Sequence, residues 1–147
     1  MIGLASILSF IFISMASAYD LSELDFISGC YSSKGPSYPN NNYEELYWGS
    51  SSGGVKLGQS KAFLHNDLVS YFSLELRKEG GRLLLTVSRS GVIAATFFVS
   101  ELKENFVAFK NEKDMSKVCY EKSENLLKVT YGCGEGHPTS YDMKICQ

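Results

Sequence analysis

From Val55 onward, short apolar-rich runs recur with a period of two. Phe72, Leu74 and Leu76 share one face of an extended segment, while Ser73, Glu75 and Arg77 share the other. Leu83, Leu85 and Val87 likewise oppose Arg82, Thr86 and Ser88. The rhythm returns with Val118 and Tyr120 against Lys117 and Glu121, then with Tyr141, Met143 and Ile145 against Asp142 and Lys144. Successive side chains of a strand point to opposite sides of a sheet, so each segment reads as a strand with one dry and one wet face. Turn clusters separate the runs at His65-Asn66-Asp67, Glu79-Gly80-Gly81, Ser90-Gly91, Lys103-Glu104-Asn105, Ser123-Glu124-Asn125 and Gly132 to Pro138. This spacing predicts an antiparallel meander.

Helical periodicity is confined to Leu21–Ile27, where Leu21, Leu24 and Ile27 fall at helical spacing behind an Asp20 cap, with early negative charge from Glu23 and Asp25. One or two turns are expected. Gly35 to Asn42, with Pro36, Pro39 and three consecutive asparagines, reads as a loop. A meander of eight to ten strands, each with one apolar face, has two ways to finish: a sandwich or a closed barrel. Sequential hairpins with short turns favour the up-and-down barrel, and closure removes exposed edges. The expected fold is therefore an all-β, up-and-down antiparallel barrel of about 8–10 strands.

The N-terminal stretch belongs to a different pattern. Met1 to Ala18 carries no charge, runs apolar through Leu4, Ile7, Leu8 and Phe10 to Ile13, and ends in Ala16-Ser17-Ala18. That is the form of a secretory signal peptide cleaved before Tyr19, and the run is too short and Ser-interrupted for a spanning helix. Of 147 residues, 129 remain after residues 1–18, enough for a single domain over 19–147. The net charge is -2, with no run of basic residues, so neither nucleic acid nor an anionic lipid surface is expected as a partner.

All four cysteines lie beyond the leader, which in a secreted chain reads as two disulfides. Closure sets the first and last strands side by side, and Cys146 shares a face with Lys144 and Asp142. Cys30 and Cys146 are therefore expected to bridge the outside of the closing seam. Cys119 is left to pair with Cys133. A tight hairpin at Ser123 to Asn125, however, sets Cys133 opposite about position 114, roughly 16 Å along the strand from Cys119. The Cα limit for a disulfide is roughly 7 Å, so this bridge requires a bulge or a bent loop. No C-x-x-C is present and neither histidine has zinc-ligand spacing, so no metal and no cofactor are expected.

Three further stretches carry a resemblance. Phe26-Ile27-Ser28-Gly29-Cys30-Tyr31, Glu44-Glu45-Leu46-Tyr47-Trp48 and Gly53-Gly54-Val55-Lys56-Leu57-Gly58-Gln59-Ser60 resemble an uncharacterised, largely bacterial domain family that reads L-A-G-C-W, E-E-x-W and G-G-x-x-L-G-x-S. Val69 to Leu76 matches its Y-E-F-x-R-I-E segment, and Phe109-Lys110-Asn111 its F-E-N. The resemblance runs from about Asp25 to Cys146 and implies a calycin-like barrel, lipocalin-like in shape, with no established activity. The chain departs from the pattern in several places. Tyr31 replaces a tryptophan, the step from the glutamates to Trp48 is one residue longer, and Lys113 to Lys117 shortens a segment that has lost its histidine and arginine. Three of the four cysteines are additions.

The residues themselves support a modest chemistry. Gly53-Gly54 suits a hairpin with positive φ, and Gly58 a bulge or tight bend. Trp48 reads as a plug near one barrel end or, alternatively, as a cavity wall. Glu44 and Glu45 are adjacent, so they face opposite sides and make no carboxylate pair. His65 reads as a solvated turn residue; His137, before Pro138, is an exposed loop residue or, less simply, a haem ligand at a barrel mouth. No nucleophile elbow or ordered triad is present. The leading expectation is a secreted barrel binding a small apolar or amphipathic ligand among Trp48, Phe72, Leu74, Leu76, Tyr120, Tyr131, Tyr141 and Met143. The alternative is a secreted interaction protein with a filled barrel acting through its loops, and an enzyme comes third.

Overall fold

A computed structural model of the chain describes residues 19–34 and 41–146. The expected signal peptide and most of the expected Gly35 to Asn42 loop lie outside the described residues. The chain enters through a 3-10 helix, Leu21–Ile27. Asp20 caps it by accepting from the Ser22 N–H at 3.1 Å, and Glu23 reaches back to accept from the Asp20 N–H at 2.7 Å. Leu21, Leu24 and Ile27, all buried, are spaced by three residues. That is the period of a 3-10 helix, so tightening the helix aligns all three on one side.

Ten strands follow: β1 (Gly29–Ser32), β2 (Tyr43–Trp48), β3 (Val55–Leu64), β4 (Asp67–Glu79), β5 (Arg82–Arg89), β6 (Val92–Lys103), β7 (Phe106–Asn111), β8 (Lys117–Ser123), β9 (Leu126–Tyr131) and β10 (Thr139–Ile145). Each pairs antiparallel with its sequence neighbours, and β1 closes on β10, giving the expected up-and-down barrel. Five hairpins turn on two residues each, at 65–66, 80–81, 90–91, 104–105 and 124–125. His65, Asn66, Ser90, Asn105 and Glu124 take positive φ there alongside the glycines, as turns matching the twist of the strands demand.

The seam is short. β1 and β10 share only the Tyr31↔Ile145 and Ser32↔Lys144 pairs. Cys30–Cys146 extends the seam as expected, with Cα atoms 5.3 Å apart and the Cys146 N–H donating to the Cys30 carbonyl at 2.9 Å. Cys119–Cys133 also forms. The bent loop it requires comes from Gly132 and Gly134, with φ of 68° and 81°, which fold the chain back after Tyr131 and bring the Cα atoms to 6.1 Å. Both bridges suit an oxidising compartment.

The helix plugs one end of the barrel. Under it lie Tyr31, Trp48, Leu76, Leu83, Leu127 and Met143, all fully buried. Lys56 is buried there too, and its ammonium donates to Asp25 Oδ1 at 3.0 Å, Ser28 Oγ at 2.5 Å and the Gly49 carbonyl at 2.7 Å. A buried ammonium requires such a full set of acceptors, and these tie the helix to β3. Gly53 and Gly54 make the turn into β3, with φ of 60° and 78°. Gly58 lies in regular pairing and takes no bulge; the register of β3 shifts later, between Ala62 and Phe63. Gly58 instead faces Trp48, its cross-strand partner, at a distance that leaves no room for a Cβ. Ile145, expected on the dry face, is 47% exposed because β10 ends at the barrel rim.

Candidate ligand-binding cavity

The opposite half of the barrel is hollow. A cavity of about 480 Å³ lies among the strand ends remote from the helix. It exists because inward positions there carry small side chains: Ser60 and Ala62 on β3, Ser70 on β4, and Ala94 and Ala95 on β6. Ala94 and Ala95 both line it although adjacent, because the β5–β6 register shifts between Val87 and Ser88, leaving Ala94 as the extra residue of a bulge. Larger apolar groups build the remaining wall. Phe72 and Leu74 come from β4, Leu85 and Val87 from β5, and Phe97 from β6. Phe109 and Tyr120 cross edge to face at 5.4 Å and form the wall on β7 and β8.

One carboxylate stands in this wall. Glu44 is held by its backbone, whose N–H donates to Ser33 Oγ at 2.7 Å and whose carbonyl accepts from the Ser33 N–H at 2.9 Å. From β10, the Tyr141 hydroxyl donates to Glu44 Oε2 at 2.6 Å. The Tyr131 hydroxyl is 3.1 Å from that of Tyr141. Because Tyr141 commits its single proton to the shorter bond, it accepts from Tyr131. Burial is the main cause that pushes all three cavity-side phenols, Tyr120, Tyr131 and Tyr141, above their ordinary pKa. The negative charge of Glu44 pushes each the same way, so the tyrosines remain neutral hydroxyls at physiological pH.

Four of the residues expected at a ligand site line the cavity: Phe72, Leu74, Tyr120 and Tyr131. Tyr141 reaches it through its bond to Glu44. Trp48, Leu76 and Met143 do not line it; they pack in the plugged half, where the same inward stripe meets the helix. Glu44 and Glu45 face opposite sides, as read, but Glu44 is the functional candidate that pattern reading passed over. Its signal was an acidic residue in phase with Leu46 and Trp48, on the dry face of β2. His65 sits exposed in the β3–β4 turn and His137 exposed in the β9–β10 loop, neither in the cavity wall.

Among the described residues no cluster of three or more His, Cys, Asp or Glu side chains is placed to hold a metal ion. No helix among them is long and apolar enough to cross a membrane. Compared with protein-family models, with curated proteins and with solved structures, the chain finds no match, so the candidate site rests on its own geometry.

Proposed function

We propose that the protein is a secreted carrier that binds one small apolar or amphipathic molecule inside its barrel. The single observation behind this reading is the cavity of about 480 Å³, within the roughly 300–1,000 Å³ range of small-molecule sites and lined by aromatic and aliphatic groups around a few polar ones. A filled barrel acting only through its loops calls for a dry, packed interior, and the cavity weighs against it. Secretion is supported by the uncharged apolar leader before Ala16-Ser17-Ala18 and by two disulfides. Kinship with the calycin-like family is offered on the same footing. Of its motif residues, Trp48 and Gly58 build the plugged end, while Glu44, Ser60, Phe72, Leu74 and Phe109 stand in the cavity wall.

Two measurements test the reading. Titration of refolded, ligand-free protein with the neutral dye N-phenyl-1-naphthylamine is expected to give saturable enhancement at one site per chain. Native mass spectrometry of protein taken from secreting cells is expected to show a co-purifying small molecule. Non-saturable dye uptake together with a native mass equal to that of the bare chain would overturn the proposal.

A further inference from the structure

The cavity is chemically lopsided. No lysine, arginine or histidine lines it, and Glu44 is paired with no cation among the described residues. Its Oε2 accepts from Tyr141, while Oε1 accepts nothing from the described residues. A carboxylate offers about four acceptor sites and no donor, so most of this one's capacity is open to whatever enters. An anion beside apolar walls is costly until a partner compensates it. The walls add a second preference of the same sign, since the faces of Phe72, Phe97, Tyr120 and Tyr131 attract cations.

Resting on the binding reading above, we propose that the ligand carries a cationic, hydrogen-bond-donating head group, an amine or amidine on an apolar body, seated against Glu44. An N–H donor of the head group fills Oε1, its charge offsets the carboxylate, and its body lies along Phe72 and Leu74. Tyr141 acts as a positioning residue that holds the carboxylate by its other oxygen. One feature pulls the other way. Arg89, exposed, sets its guanidinium 5.9 Å from the centre of the Phe72 ring and would favour an anionic head group. Arg89 lies outside the cavity lining, whereas Glu44 is part of it.

The test is a calorimetric comparison of decylammonium, decanol and decanoate, which share a body and differ in head group, on the intact disulfide-bonded protein. Decylammonium is expected to bind tightest and decanoate weakest. Glu44→Gln keeps an acceptor for Tyr141 and removes the charge. It is expected to lower decylammonium affinity at least about tenfold, the size of a charge-assisted hydrogen bond, and decanol affinity by less, so that the preference for decylammonium over decanol is lost. Arg89→Ala is expected to leave the ranking as it was. A ranking led by decanoate, or a decylammonium preference that survives Glu44→Gln, would overturn the cationic head group while leaving the cavity as a binding site. Failure of all three ligands and of the neutral dye would overturn the binding reading itself, and this proposal with it. The ranking on the unmutated protein decides the matter even if Glu44→Gln does not fold.

Discussion

A methyl group added at Gly58 is the sharpest probe of how the barrel is plugged. A Cβ there would lie 2.6 Å and 2.8 Å from Cε3 and Cδ2 of Trp48 and 2.7 Å from the Tyr47 carbonyl oxygen. Ordinary carbon contacts are about 3.5–4.0 Å, so all three neighbours would have to retreat by nearly an ångström. None can do so freely, since Trp48 is fully buried and the carbonyl belongs to the β2–β3 ladder. Overpacking of this kind costs about 1–3 kcal/mol, against a gain of about 0.4–1 kcal/mol from the stiffer unfolded chain. Gly58→Ala is therefore expected to destabilise by about 1–2 kcal/mol, which lowers Tm by about 3–5 °C per kcal/mol in a domain this size. Trp48 is the only tryptophan, so its emission during urea unfolding reads the plug directly. Two of the three close contacts are to the indole. In a Trp48→Leu background the cost of Gly58→Ala should accordingly shrink by about 0.5–1.5 kcal/mol. A neutral Gly58→Ala, or a cost unchanged by Trp48→Leu, would refute the packing argument.

The buried Lys56 gives a paired test: Asp25→Ala removes an acceptor from a fully buried ammonium and is expected to cost about 1–3 kcal/mol in urea unfolding, discounted because Asp25 is half exposed, while Lys56→Met should cost less. The Asp25 pKa is lowered: burial raises it, but hydrogen bonds from Ser51 and Lys56 outweigh that. The pair's contribution should thus be full above the ordinary carboxylate range, fade as pH falls through and below about 4, and be missing from acid titrations of Asp25→Asn. Of the two disulfides, Cys30–Cys146 closes a separation of 116 residues and Cys119–Cys133 one of 14. Chain entropy then makes Cys146→Ser more destabilising than Cys133→Ser by about 1–2 kcal/mol in thermal unfolding, and the reverse order would contradict it. Leu74→Arg, inside the cavity wall, should abolish dye binding and destabilise, whereas Glu75→Lys, one residue along and facing water, should do neither beyond about 0.5 kcal/mol. Equal effects of the two would mean that the inward face of β4 is misassigned.

Much of the architecture is legible in the sequence. Two-residue periodicity placed Phe72, Leu74, Leu83, Leu85 and Val118 on inward faces, because each strand has one face on the core and one in water. Turn chemistry located five hairpins, and a spacing of three marked the plugging helix. The seam disulfide followed from closure alone. Local patterns also suggested a bulge at Gly58, where packing imposed a different reason for glycine: the space belongs to Trp48. They grouped Leu76 and Met143 with the ligand site because alternation says which face a residue takes and nothing about how high in the barrel it sits.

What the sequence determined by itself, then, is the strand set, its facing and its closure, since these depend on neighbours one or two residues away and on turns of fixed geometry. Which inward positions are packed and which are hollow was decided only in three dimensions. The helix fills one end, while Ser60, Ala62, Ser70 and the bulged Ala94-Ala95 pair, drawn from three strands, leave the other open. Glu44 shows the same division. Its inward phase was readable on β2, but its meeting with Tyr141, 97 residues away, required the barrel to close and bring β10 round to the β1–β2 side. A cavity is a sum of volumes contributed by distant strands, and no local pattern carries that sum.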